Sequence, residues 1–284
     1  MCLRAVPAPL YVIAGIASTQ VGGAIAKTLF DDLGPTGTVL LRTAFAALAL
    51  ALLWRPRVAG RSRDDVLLAL AFGVALAAMN LSFYEAIDRI PLGIAVTIEF
   101  VGPLAVAIGG SRRALDAVWV VLAAAGILLL ARGGGDVNAA GVGFALLAGA
   151  CWAAYILLSA RTGRAFPGGS GLALAMAFGA LLLLPVGVAG GGSALLDPGL
   201  LAAGAAVALL ASAIPYSLEI AALRRMPTQV FGILLSLEPA MAALAGFVIL
   251  GEGLRVRDVV AIGLVAAASA GASLMGESRP APEV

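Results

Sequence analysis

Histidine is absent from this sequence, which removes histidine-based zinc sites and histidine proton relays. Two cysteines, Cys2 and Cys151, are too few for a disulfide framework. Charged residues make up only 12% of the chain, against about 25% in a soluble domain. No G-x-x-x-x-G-K-[ST] run occurs, so there is no Walker-type nucleotide site. Gly133–Gly135 lacks the preceding strand and the following lysine that a phosphate cradle needs. Proteolysis or acyl transfer would want a Ser or Cys beside a base, and no such dyad stands out, so an intramembrane enzyme is a remote alternative. No cofactor, metal or nucleic-acid partner is expected. The segments between apolar runs are too short for a soluble partner domain.

What the chain has in abundance is apolar length. Hydrophobic residues make up 62% of the 284 positions. A helix crosses the hydrocarbon core with roughly 20 apolar residues. Ten runs approach that length: Pro9–Leu29, Pro35–Leu53, Val66–Ala86, Leu92–Gly110, Leu115–Ala131, Ala139–Ser159, Gly171–Ala189, Leu200–Ala221, Thr228–Leu250 and Val259–Met275. They lack the period-2 alternation of barrel strands, so the expected fold is an all-α membrane protein of ten transmembrane helices. The stretch before the first run is too short for a cleaved signal peptide, so that run reads as a permanent helix.

Charge placement sets the expected orientation. With the N-terminus in the cytoplasm, twelve of the 18 basic residues fall on the inner side, among them Arg4, Arg55, Arg57, Arg61, Arg63, Arg112, Arg113, Arg161, Arg164, Arg224, Arg225 and Arg279. Five fall outside: Lys27, Arg89, Arg132, Arg255 and Arg257. This positive-inside asymmetry predicts two cytoplasmic termini. The polar tail 277–284 is expected to be disordered.

An offset of 136 residues superimposes the fourth run on the ninth. Ala86, Arg89, Pro91, Pro103, Ala107 and Gly110 meet Ala222, Arg225, Pro227, Pro239, Ala243 and Gly246. In so Ala-rich a chain the two prolines and the arginine carry the match. The unit is then five spans, 1–136 followed by 137–276. Five is odd, so the second copy enters the membrane inverted. Inverted repeats place a small-molecule site near the midplane, where the halves meet.

A charge deep in a bilayer costs at least about 2.5–3.5 kcal/mol on insertion scales, so polar residues within spans mark pairing, a cavity or function. Glu99 lies mid-span, and Pro103, lacking an N–H, frees its carbonyl. Pro239 frees the carbonyl of Leu235, and Glu238 stands just before it. Arg42 can snorkel or pair with a buried carboxylate. Lys27, the only lysine, can anchor at the interface or face a cargo. Asn80 and Tyr84 share a face of the third span, Trp152 and Tyr155 of the sixth, and Tyr216 and Glu219 of the eighth. These aromatic pairs fit either packing or a cavity lining, and Glu219 can also be solvated at the inner surface. Gly15, Thr19 and Gly23 form a small-residue packing seam, beside which Gln20 is a cavity candidate.

Several of these residues sit in stretches that resemble a known family. Ala17–Phe30, Pro91–Val106, Gly149–Ile156, Pro215–Glu219 and Ser236–Pro239 are similar to bacterial threonine/homoserine exporters of the drug/metabolite transporter superfamily, EamA type. The resemblance spans about Ala17 to Gly253; the Gly-rich loop Ala165–Ser170 departs from it. It implies two inverted five-helix repeats in the bacterial inner membrane and export of threonine and homoserine, driven by the proton gradient. Another small metabolite, such as a purine, an aromatic compound or a sugar, is the alternative cargo. A zwitterionic cargo needs a cation, Arg42 or Lys27, and an anion, Glu99 or Glu238. Burial disfavours the ionised form of a carboxylate, which suits it to carry a coupling proton.

Overall fold

The computed structural model describes residues 7–57, 60–109, 116–131, 138–223 and 225–275. Expectations resting on Cys2, Arg4, Gly110, Arg112, Arg113, Arg132, Gly133–Gly135, Arg224 and the tail 277–284 lie outside the described residues. Among those described the chain is helical throughout, with no strand. The helices are α1 (Ala8–Thr28), α2 (Phe30–Trp54), α3 (Arg63–Arg89), α4 (Leu92–Glu99), α5 (Val101–Gly109), α6 (Asp116–Ala131), α7 (Ala139–Ala165), α8 (Ser170–Gly191), α9 (Pro198–Ala208), α10 (Ile214–Leu223), α11 (Thr228–Leu235), α12 (Glu238–Leu250) and α13 (Val256–Met275). A π turn, Leu209–Ala213, joins α9 to α10.

Eight stretches among the described residues are long and apolar enough to cross a membrane, and Leu92–Val106 and Ala117–Leu130 are shorter apolar helices. The protein is therefore a multi-span, all-α membrane protein.

Helix ends follow local chemistry. Ser62 accepts from the Asp65 N–H at 3.1 Å, Asn138 from Gly141 at 2.7 Å and Asp197 from Leu200 at 3.0 Å, each satisfying a donor that a helix start leaves orphaned. The Ser62 cap, with Asp64 and Asp65 in the first turn, starts α3 about a turn before its apolar run. Continuous helix from Phe30 to Trp54 hides a kink at Gly34 (φ 64°), directly before Pro35, the expected start of the second run.

The proline breaks have the clearest consequence. α4 ends at Glu99 and α11 at Leu235, the residues four before Pro103 and Pro239. Both helices have eight residues, and both begin after a proline, Pro91 and Pro227. The chain turns at Phe100 and at Ser236–Leu237 and continues as α5 and α12.

Packing joins the two halves of the chain. α2 lies against α8 and α9, α3 against α7 and α8, α1 against α10 and α12, α4 against α7 and α12, and α6 against α13. The α4 break fits closely on α7. A Cβ on Gly149 would lie 2.7 Å from the Glu99 carbonyl oxygen, and one on Gly102 would collide with the Gly149 carbonyl. Only glycine at both positions allows this backbone approach. The largest buried apolar cluster, around Ile87, Leu92, Ile98 and Leu130, fills the end of the bundle where α3 passes into α4.

Candidate functional site

A cavity of about 310 Å³ opens among α1, α2, α3, the two broken helices, α7 and the π turn with α10. Its lining includes Gln20, Arg42, Asn80, Glu99, Trp152, Tyr155, Tyr216, Glu219, Glu238 and Pro103, all marked by the sequence. Each arrives by its own local geometry. Gln20 and Asn80 project from the middles of α1 and α3 and are 4% and 5% exposed. Glu99 is the last residue of α4 and Glu238 the first of α12, so each carboxylate sits at a helix break. Trp152 is held by Phe100, ring centroids 5.5 Å apart and nearly perpendicular, and Tyr155 by Phe72 at 5.2 Å.

Three carboxylates and one guanidinium give the cavity its electrostatic character. Glu238 stands within Coulomb reach of both Glu219 and Glu99, and Arg42 of Glu99. No ion pair joins Arg42 to any carboxylate among the described residues. Arg42 Nη2 instead donates to the Ala211 carbonyl at 3.2 Å. Pro215 explains why that carbonyl is free: it stands four residues on and has no N–H to offer. The π turn over Leu209–Ala213 is the backbone's accommodation, and such turns recur at functional sites. The Leu210 carbonyl of the same turn accepts from Ser18 Oγ at 2.7 Å. Pro215 was the available sequence signal for this arrangement, by the rule that locates the breaks at Pro103 and Pro239.

Three marked residues lie elsewhere. Tyr84 is fully buried behind Arg42, whose Cζ stands 5.6 Å from its ring centroid. Tyr84 is not among the residues that line the cavity. Pro239 is buried in α12 beside the break it causes. Lys27 is one turn beyond Gly23, the last cavity residue of α1, and forms a separate cluster. Its Nζ meets Glu252 Oε1 at 2.7 Å and donates to the Ile90 carbonyl at 3.3 Å. Glu252 Oε2 accepts from the Leu92 N–H, the first of α4, at 2.8 Å. One carboxylate thus ties α1, the start of α4 and the connection from α12 to α13. Lys27 does not face the cavity.

The cavity can seat a small molecule carrying both charges. A carboxylate has Arg42 and an ammonium group has Glu99, Glu219 or Glu238. The volume is at the low end of small-molecule sites, which run about 300–1,000 Å³. No group of three or more His, Cys, Asp or Glu able to hold a metal ion occurs among the described residues.

Comparison with known proteins agrees with this architecture. The model of the EamA-like transporter family matches residues 139–274. The threonine/homoserine exporter RhtA of Escherichia coli (strain K12) is 43% identical over 278 residues, covering 96% of this chain and 94% of that protein. The threonine/homoserine exporter RhtA of Salmonella typhimurium (strain LT2) is 42% identical over 274 residues, covering 95% and 92%. A protein solved by crystallography superposes with a TM-score of 0.64 at 18% identity, over 95% of this chain and 97% of that one, which shows a shared fold.

Proposed function

The chain belongs to the EamA-like transporter family, and from that we propose that it exports threonine, homoserine and related small amino acids across the bacterial inner membrane. The single observation that carries the site assignment is that Arg42 and three carboxylates, Glu99, Glu219 and Glu238, line one pocket. A zwitterion spans such a pair of charges; a purine or a sugar would leave the guanidinium without its natural partner. Glu99, at the centre of the broken fourth span, is the carboxylate assigned the coupling proton.

The transport cycle rests on two inverted repeats. α4–α5 and α11–α12 each act as one broken span, which gives ten spans in all. Residues 1–136 form the first five and 137–276 the second, with both termini cytoplasmic. Two observations support this reading. α4 and α11 share their length, their preceding proline and their offset of 136 residues. Exchanging the halves largely maps the packing onto itself: α3–α7 becomes α10–α1, α3–α8 becomes α2 with the eighth span, and α1–α12 becomes α7–α5. Several pairs do not carry over, one of them between the broken spans. α4 packs on α12, whereas its counterpart, α5 on α11, is not a packed pair among the described residues. We read that imbalance as the state of the cycle, closed at the Lys27 end and open at the arginine-rich cytoplasmic end. Rocking one repeat against the other would close α5 on α11, part α4 from α12 and release cargo outside.

Overexpression tests the cargo. Cells carrying the protein should tolerate more external threonine and homoserine than cells without it, and vesicles should show threonine counterflow. Unchanged tolerance to both, with the protein present in the membrane, would sink the amino-acid reading and leave another small metabolite as cargo.

A further inference from the structure

We propose that Asn80 selects cargo by its side-chain hydroxyl, an inference that rests on the amino-acid reading above. Asn80 lies mid-helix in α3, is 5% exposed, and lines the cavity. Its amide is fixed at one end: Nδ2 donates to the Leu76 carbonyl, one turn back, at 2.8 Å. A carbonyl only accepts, so the end of the amide facing Leu76 has to be nitrogen. The planar amide then turns Oδ1 away from its own helix and toward the cavity. No described residue donates to that oxygen. It is a fixed acceptor awaiting a donor.

Its position relative to Arg42 sets what that donor is. Asn80 and Tyr84 are four apart on one face of α3, a separation of about 5–6 Å between Cβ atoms. The Arg42 guanidinium stands over the Tyr84 ring. Asn80 and Arg42 thus line one cavity of about 310 Å³, small enough for a short 2-amino acid to engage both. With the carboxylate on Arg42 and the ammonium on a carboxylate, a 3- or 4-hydroxyl is the group left to meet Asn80. An aliphatic side chain of the same size would leave Oδ1 buried without a partner. A site built to hydrogen-bond a hydroxyl rejects analogues that lack it far better than an apolar pocket rejects an added methylene. Gln20, the other cavity amide, has no hydrogen bond tying it among the described residues and can turn either end to the cavity, so it discriminates less.

The test is counterflow of labelled threonine by the full chain in proteoliposomes, with unlabelled competitors. Wild type should prefer threonine over 2-aminobutyrate, which lacks the hydroxyl, by about tenfold, as expected for one hydrogen bond of about 1.5 kcal/mol. Asn80→Leu should shrink that ratio to about twofold while still moving 2-aminobutyrate. The wild-type ratio persisting in Asn80→Leu would overturn the proposal and leave the cargo class standing. Should that variant fail to insert, wild type alone decides. The O-methyl ether of homoserine has no proton to donate and should compete about tenfold less well than homoserine. Equal competition by the ether overturns the hydroxyl subsite. Equal transport of threonine and 2-aminobutyrate by wild type does the same. Absence of any threonine flux removes this inference together with the reading beneath it.

Discussion

Lys27 and Glu252, 225 residues apart in sequence, meet at 2.7 Å where the first span joins the connection before the last. Glu252 also caps the first N–H of α4. The two roles separate by substitution. Glu252→Gln keeps an acceptor for the Leu92 N–H and loses only the charge. Glu252→Ala loses both, stranding a donor at a cost of about 1–3 kcal/mol. Thermal unfolding in detergent should rank wild type above Gln and Gln above Ala. The order Ala equal to Gln would mean that the cap contributes nothing. If the pair closes the outer end, Glu252→Gln should also make a cysteine placed at Gly23 more reactive to a thiol reagent added from outside.

Glu99→Gln preserves shape and hydrogen bonding and removes the titratable charge. We expect the variant to insert normally, to lose most transport, and to show residual flux that no longer varies with pH. Arg42 rests on the Ala211 carbonyl rather than on Glu99, so adding Arg42→Gln should not restore activity. Wild-type flux with a wild-type pH profile in Glu99→Gln would move the proton to Glu238.

Arg42→Lys tests whether the fork of the guanidinium matters. A lysine keeps the charge and gives up planar, two-point contact with a carboxylate. Threonine flux should fall at least about tenfold, a loss of roughly 1.4 kcal/mol in cargo recognition. Flux close to wild type would show that any cation serves.

Gly149→Ala probes the seam between α4 and α7. The new Cβ would sit 2.7 Å from the Glu99 carbonyl oxygen. Overpacking of this kind costs about 1–3 kcal/mol. The variant should unfold at lower temperature and transport more slowly, because the added methyl pushes the Glu99 break away from α7. Gly143→Ala, on the same helix with open space beside it, is the control. Equal stability of the two variants would contradict the close approach.

Orientation has its own check. A reporter fused after Val284 should be active only in the cytoplasm. Periplasmic activity from that fusion would reverse the positive-inside assignment.

Much of this architecture was legible in the chain because hydropathy and proline act locally. A run of apolar residues declares a span wherever it packs, and a missing N–H frees the carbonyl four residues back in any context. Glu99 and Leu235 accordingly end their helices where Pro103 and Pro239 require. Depth within the bundle was harder to read. Helical spacing puts Asn80 and Tyr84 on one face, but only the packing of α2 shows that Arg42 covers Tyr84 and leaves Asn80 at the cavity. Lys27 gave no sign of its partner, since an ion pair between the halves depends on how they assemble. Residue spacing could not show the imbalance between α4–α12 and α5–α11 either, because it too depends on how the halves assemble.

The carbonyl that Pro215 frees has a kinetic consequence. A carrier that returns empty must cross the membrane's low-dielectric interior with its recognition groups undressed, and a bare guanidinium would stall that half of the cycle. Here Arg42 has a neutral berth on the backbone of the π turn, at Ala211. On the proposed cycle, cargo departure would exchange one acceptor for another instead of stripping a cation. That would lower the barrier to resetting and limit how tightly cargo is held, so the same hydrogen bond would favour rapid turnover over high affinity.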